Sequence, residues 1–245
     1  MRTKTVIVTG ASSGIGFAIT RASLNRGFNV VANARSRQDL ELAAEKMGAP
    51  ANLLLVPGDI AQPETAKTLF AQAEARFGQI DVLVSNAGVF ISRPIAGYDE
   101  RDVETMLDVN LKGFFYSAQR AAEHMRAHEG GHIIAITAAI AMQPNVNVPA
   151  LLPIMVKGGL NHAVRGLALE LADAGIMVNA IAPGIIATPM HAKDQGTMDA
   201  LKNMAPTHRV GEAEDVVRAV MYLMESQFVT GSVMTVDGGA TAGKW

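Results

Sequence analysis

Short runs of consecutive apolar residues alternate along the chain with longer stretches whose apolar positions recur every three or four residues. The short runs read as buried strands and the long ones as amphipathic helices. The predicted strands are Thr5–Thr9, Asn29–Asn33, Leu53–Pro57, Val82–Ser85, Ile133–Thr137, Met177–Ile181 and Val233–Val236. Between them the spacing predicts helices over Gly14–Arg26, Gln38–Met47, Pro63–Phe77, Val103–His128, Pro153–Asp173 and Ala213–Met224. Strands that are apolar throughout, rather than alternating, belong in a parallel sheet covered on both faces. Repeated strand–helix units with right-handed crossovers give an α/β, doubly wound sheet in a single domain over 1–245. The least regular stretch, Thr188–Arg209, is expected to form a lid over a substrate.

Composition narrows the classes. A net charge of −2 gives nothing to steer the chain toward nucleic acid or anionic lipid. The absence of cysteine removes disulfides, thiolate metal ligands and thiol nucleophiles, and suits a reducing compartment. No segment approaches the roughly 20 apolar residues of a membrane span. The opening MRTKTVIVTG runs into a glycine turn and reads as a strand rather than a leader. A cytoplasmic protein is the expectation, with no metal, membrane or nucleic-acid partner.

The turn after the first strand is TGASSGIG, Thr9–Gly16. Gly10 permits a tight turn, Gly14 lets the backbone approach a pyrophosphate, and Gly16 lets helix and strand pack closely. Backbone N–H groups at the helix start then face the phosphates with a partial positive charge. At the end of the second strand, VVANARSR has no carboxylate for a ribose 2′-hydroxyl. It offers Arg35 and Arg37, whose guanidinium groups suit a 2′-phosphate. NADP(H) is therefore favoured over NAD(H).

These residues together resemble the short-chain dehydrogenase/reductase family. The resemblance spans nearly the whole chain: TGASSGIG, GDI at Gly58–Ile60, NAG at Asn86–Gly88, VN at Val109–Asn110, Lys157-Gly-Gly, VNAIAPG at Val178–Gly184 and VDGG at Val236–Gly239. It implies a Rossmann fold that holds the cofactor through Thr9, Gly10, Ser12, Ser13, Gly14, Ile15 and Gly16. Asp59 and Ile60 are implied beside the adenine, and Asn86, Ala87 and Gly88 along the strand that lines the cofactor. Pro183, Gly184, Ile186 and Thr188 are implied to border the nicotinamide. Lys157 is implied to bond the nicotinamide ribose and Asn110 to hold a water-linked proton relay. A homotetramer or dimer is implied, formed through the helices after the fourth and fifth strands, with the VDGG end serving a second interface.

The family's usual catalytic set is Asn, Ser, Tyr and Lys, the last two at i and i+4 on one helical face. Asn110 and Lys157 are present, Pro153 stands at the tyrosine position, and Ala138 aligns with the serine. Thr137 carries a hydroxyl one place early, which strand alternation turns to the other face. QPNVNVP lengthens the segment between Ala138 and Lys157 by about two residues relative to the family pattern. Tyr98, Tyr116 and Tyr222 all lie far from Lys157 in sequence. Proline fits a first helical turn, so the helix is expected to begin near Pro153. Candidate replacement donors are Lys157 itself, with its pKa lowered by burial, or a water held by Asn110 and Lys157. Asn145 or Asn147 could bond a substrate oxygen, and His191 or His208 could reach in from the lid. His162 is expected to face away, and His124, His128 and His132 to cap a helix end as cations. Val89, Phe90, Ile91, Met142, Ile185 and Met190 suggest either a greasy pocket or ordinary packing. Two functions emerge: an NADP(H)-dependent oxidoreductase acting on a small carbonyl, imine or activated alkene with an atypical proton donor, or an impaired NADP(H)-binding sensor or partner subunit.

Overall fold

A computed structural model describes residues 2–188 and 201–243. Seven strands form one parallel sheet: β1 (Thr5–Thr9), β2 (Asn29–Ala34), β3 (Leu53–Pro57), β4 (Val82–Ser85), β5 (Gly131–Ile136), β6 (Ile176–Pro183) and β7 (Val233–Val236). Their order is β3-β2-β1-β4-β5-β6-β7. The order reverses direction between β1 and β4, where Val6 pairs with Val82 and Val8 with Val84. Ligands of doubly wound sheets bind outside the carboxyl ends of the strands at such a switch point.

The helices are α1 (Gly14–Asn25), α2 (Arg37–Lys46), α3 (Pro63–Phe77), α4 (Glu100–Met106), α5 (Gly113–Arg126), α6 (Leu151–Leu171) and α7 (Ala213–Glu225). Side chains alternate across the sheet, so β1 sends Ile7 to one face and Val6 and Val8 to the other. Ile7, Val31, Leu83 and Ile133 meet α3, α5 and α6. Val6, Val8, Val82 and Ile134 meet α1, α2 and α7. Both faces are covered, as the uninterrupted apolar strands require. No helix among the described residues is long and apolar enough to cross a membrane.

Two helical expectations are refined. The long helix runs without a break from Glu100 to Arg126, but a π-helical turn, Leu107–Lys112, joins α4 to α5 within it and carries Asn110. Helix α6 begins at Leu151, two residues ahead of Pro153, so Leu152 lies inside it. Pro153 still occupies the first turn, where its missing N–H costs no intrahelical bond. Ahead of it, the Ser92 hydroxyl donates to the Pro149 carbonyl at 2.7 Å and Arg93 bridges to Ala150.

Candidate active site

A cleft of about 1770 Å³ opens at the carboxyl ends of the strands. It exceeds the roughly 300–1,000 Å³ of a single small-molecule pocket, leaving room for a dinucleotide and a second reactant. At one end lie Gly10, Ser12, Ser13, Gly14 and Ile15, with Arg35 and Asp59 beyond them. At the other, Gly88, Lys157, Pro183, Gly184, Ile186 and Thr188 line the floor, and Ala138, Val89, Phe90, Ile140 and Val148 form a largely apolar wall.

The glycine turn is built for close approach. Gly10 and Gly14 have φ of +66° and +54°, a region that disfavours a Cβ. A Cβ on Gly16 would stand 2.1 Å from the Gly10 carbonyl oxygen, so Gly16 serves packing and is not among the cleft-lining residues. Ser13 precedes α1 without a side-chain cap, leaving the helix's first N–H groups to the cleft. Thr9 also lies behind the surface. Its Oγ1 accepts from the backbone N–H of Asn86 and of Ala87, each at 3.0 Å. The Asn86 amide returns a bond to the Thr9 carbonyl at 2.9 Å. This reciprocal tie locks β1 to β4 at the switch point.

The arginines separate. Arg35 lines the cleft, whereas Arg37 lies outside it, 3.8 Å from Glu41 on the exposed side of α2. Asn33, which belongs to none of the motifs, donates to the carbonyls of Val56 and Gly58 at 3.0 and 3.2 Å and holds the Gly58–Ile60 turn against β2. The signal for it in the sequence is an asparagine inside an otherwise apolar strand. Asp59 accepts from the Ala61 N–H at 3.0 Å.

Lys157 is buried, and its Nζ donates to the Ile136 carbonyl at 3.1 Å. Burial lowers its pKa from 10.5 to about 8. Asn110 is buried behind Gly88 and Val89 rather than at the cleft surface. Its side chain accepts from the Val89 N–H at 3.3 Å and donates to the Val89 and Met106 carbonyls at 3.3 and 3.0 Å. A methyl group added to Gly88 would come within 2.8 Å of Asn110 Oδ1 and 2.9 Å of Lys157 Nζ. The glycine, amide and ammonium therefore converge.

Ala138 lies in extended backbone at the cleft. The neighbouring Thr137 hydroxyl donates to the Ile181 carbonyl at 3.2 Å and is spent on the sheet. Among the described residues, no tyrosine and no histidine borders the cleft. Asn145 and Asn147 do, but Asn145 Oδ1 accepts from the Asn147 N–H at 2.9 Å and shapes the loop. His208 is exposed with φ of 51° and His162 borders a separate depression on α6. His191 and Met190 lie outside the described residues, as does 189–200 of the expected lid. Of its remainder, Leu201, Met204, Thr207 and Arg209 line the cleft. Val236, Asp237, Gly238 and Gly239 line it too, a placement that the interface role implied by the resemblance does not anticipate.

The three clustered histidines are not capping cations as a group. His124 Nε2 accepts from the Ile80 N–H at 3.0 Å, which requires the neutral ring with its proton on Nδ1. Burial lowers its pKa, and stacking of its ring 4.1 Å from His128 opposes a charge further. His132 sits inside β5, with its pKa pushed to about 4 by burial. Only His128 caps, donating from Nδ1 to the His124 carbonyl at 2.7 Å. Glu74, His124 and His128 have the proximity of a cation site. In the tautomer set by Ile80, however, neither His124 nitrogen has a lone pair to give.

Comparison with known proteins agrees with this geometry. The family described as Enoyl-(Acyl carrier protein) reductase matches residues 10–241. The chain is 36% identical to 3beta-hydroxysteroid dehydrogenase 1 of Eggerthella lenta, over 98% of this chain and 95% of that protein. It is 32% identical to the 3-oxoacyl-[acyl-carrier-protein] reductase FabG of Thermotoga maritima, over 96% and 97%. Among solved structures, ElxO with NADP bound superposes with a TM-score of 0.92 at 26% identity, covering 98% of this chain and all of that one. YwfH, an NADPH dependent reductase involved in bacilysin biosynthesis, gives 0.89 at 25% identity, with 99% of this chain and 100% of that chain covered. The strand order, the glycine turn and these relatives lead to one assignment: the chain belongs to the short-chain dehydrogenase/reductase family.

Proposed function

We propose that the protein is an NADP(H)-dependent oxidoreductase that moves a hydride between the nicotinamide and a small carbonyl, imine or activated alkene. The cofactor supplies the hydride chemistry when bound; the chain supplies the cradle, the charge and the exclusion of water. The observation that carries this reading is the convergence of Lys157, Asn110 and Gly88 at one end of a cleft whose other end is the Gly10–Ile15 turn with Arg35. Arg35 pairs with a 2′-phosphate, Asp59 and Ile60 face the adenine, and Pro183, Gly184, Ile186 and Thr188 border the nicotinamide. The NADP-bound ElxO and the NADPH dependent YwfH support that choice of cofactor.

In this reading Pro153 and Ala138 remove the phenol and hydroxyl that usually handle the proton. Lys157 takes over as acid, directly or through a water between it and Asn110. Its lowered pKa, about 8, brings it near the working range of a general acid at neutral pH. A second reading rests on the same two residues: a protein that holds NADP(H) without turnover, as a sensor or partner subunit. We further read the exposed Phe115, Met155 and Leu169 on α5 and α6 as the contact of a homo-oligomer, and the cysteine-free composition as that of a cytoplasmic protein.

The deciding experiment pairs calorimetric titration with NADPH against turnover on a panel of ketones, imines, enones and quinones. Binding with turnover supports the oxidoreductase. Binding without turnover on any acceptor favours the sensor, and no binding removes both. Restoring the pair as A138S/P153Y is the sharper arm. New ketone reduction marks the missing pair as the limiting defect, whereas a fall in existing activity marks Lys157 as a working substitute.

A further inference from the structure

Resting on the oxidoreductase reading, the geometry points to one acceptor class: a neutral, planar quinone whose reduced form is a phenolate. Three observations converge. First, the reacting end of the cleft has no phenol or imidazole among the described residues, and the Thr137 hydroxyl is held by Ile181. No neutral side-chain acid among them meets the product oxygen as the hydride arrives. Second, the charge buried there is a cation. Lys157 has no carboxylate partner among the described residues and bonds only the Ile136 carbonyl. Two other charged groups of the cleft are engaged elsewhere: Arg209 pairs with Asp215 at 2.8 Å, and Asp237 accepts from Gly239 and Thr241 in its own turn. Third, the wall is largely apolar, with Val89, Phe90, Ile140 and Val148, and its polar members Gln143, Asn145 and Asn147 are uncharged.

These features sort the acceptors. A cationic iminium is repelled by the lysine. A simple ketone becomes an alkoxide, whose basicity approaches that of hydroxide. A quinone becomes a phenolate, near 10 on the scale of tyrosine. The phenolate can wait for its proton; the alkoxide cannot. The bonds and electrons balance. The C4–H bond of the dihydronicotinamide breaks, and its hydrogen and electron pair form an O–H bond at one quinone oxygen. The ring becomes aromatic, leaving charge on the second oxygen, which takes a proton from water. NADPH is oxidised to NADP⁺ and the quinone is reduced to hydroquinone. Lys157 stabilises the negative charge as it develops.

The test compares 1,4-naphthoquinone with cyclohexanone and a cyclic imine, subtracting the uncatalysed reaction of NADPH with the quinone. The expected kcat/KM for the quinone exceeds that for the ketone by roughly 10²-fold, the lower end of a general-acid contribution, because the alkoxide depends on Lys157 or its water for a proton that the phenolate can do without. A second readout is independent of turnover. 2-Hydroxy-1,4-naphthoquinone changes colour on ionisation, and in the ternary complex with NADP⁺ it should ionise at lower pH than free in solution. The substitution K157M should abolish that shift. Ketone or imine turnover equal to or above the quinone's overturns the acceptor assignment while leaving the oxidoreductase reading in place. NADPH binding without turnover of any acceptor overturns both.

Discussion

Lys157 Nζ donates to the carbonyl oxygen of Ile136 at 3.1 Å, tying the second turn of α6 to the end of β5. This bond accounts for an ammonium group held where no carboxylate among the described residues neutralises it. On the proposed function it also makes Lys157 a site where stability and function oppose one another.

Lys157→Met should therefore raise stability while abolishing function. The folded-state pKa of about 8 lies below the 10.5 of the unfolded chain. Between those values the unfolded chain binds more protons, so stability rises with pH across that window and the penalty is full below it. Removing the amine should stabilise the fold at pH 7 by about 2 kcal/mol, after allowing for the lost bond to Ile136. Urea unfolding checks the gain, and NADPH titration should find affinity lowered at least tenfold.

Acid should unfold the protein through His132. Its pKa of about 4 in the fold lies below the ordinary 6.5. The stability it permits is complete above pH 6.5 and is lost as pH falls toward 4, by about 3 kcal/mol in all. His124 shifts in the same direction. Unfolding midpoints at pH 7, 5.5 and 4.5 should fall steeply in the native protein and less steeply in His132→Leu.

The two arginines should behave differently. Arg35→Ala should weaken NADPH roughly 10- to 100-fold and leave NADH nearly unchanged, the loss of a charge-assisted phosphate contact. Arg37→Ala, outside the cleft and beside Glu41, should change either affinity less than about twofold, in line with the small worth of exposed pairs. Equal weakening of both dinucleotides by Arg35→Ala would sink the 2′-phosphate assignment.

Gly88→Ala tests the convergence at the reacting end. Its Cβ would press on Asn110 Oδ1 and Lys157 Nζ, both at less than 3.0 Å. Lysine can retreat and asparagine cannot, because its amide is engaged with Val89 and Met106. The protein should fold, with Tm lowered by a few degrees, and kcat should fall about 100-fold, the cost of displacing a positioned group by an ångström.

The sequence is legible where its information is local. Leu53–Pro57 and Val82–Ser85 are readable to the residue because each is a short apolar run closed by a turn-forming or polar residue. Gly10 and Gly16 are readable because their spacing carries a steric meaning. The π turn around Asn110 leaves no mark, since the apolar rhythm of α4 and α5 continues across it. The histidines mislead for another reason. His124 and His132 stand near a helix end in sequence, but their charge state is decided by the Ile80 N–H and by burial in β5, which are tertiary facts. The roles of Thr9 and Asn33 stay hidden because their work is to hold strand ends together, which no single-strand pattern displays.

The π turn has a corollary for how such a site can be lost. Its widened loop accommodates one more residue than a regular helix of the same length, and this aims the Asn110 amide at the Val89 peptide. Deleting one residue of Leu107–Lys112 other than Asn110 would let the segment relax into ordinary α-helix with α4 and α5 still in phase, and the Asn110 amide would lose the wide turn that aims it at Val89. The vulnerability of this clamp is thus one of count rather than of chemistry: a frame-preserving loss of one codon would disarm it while leaving every surrounding side chain intact.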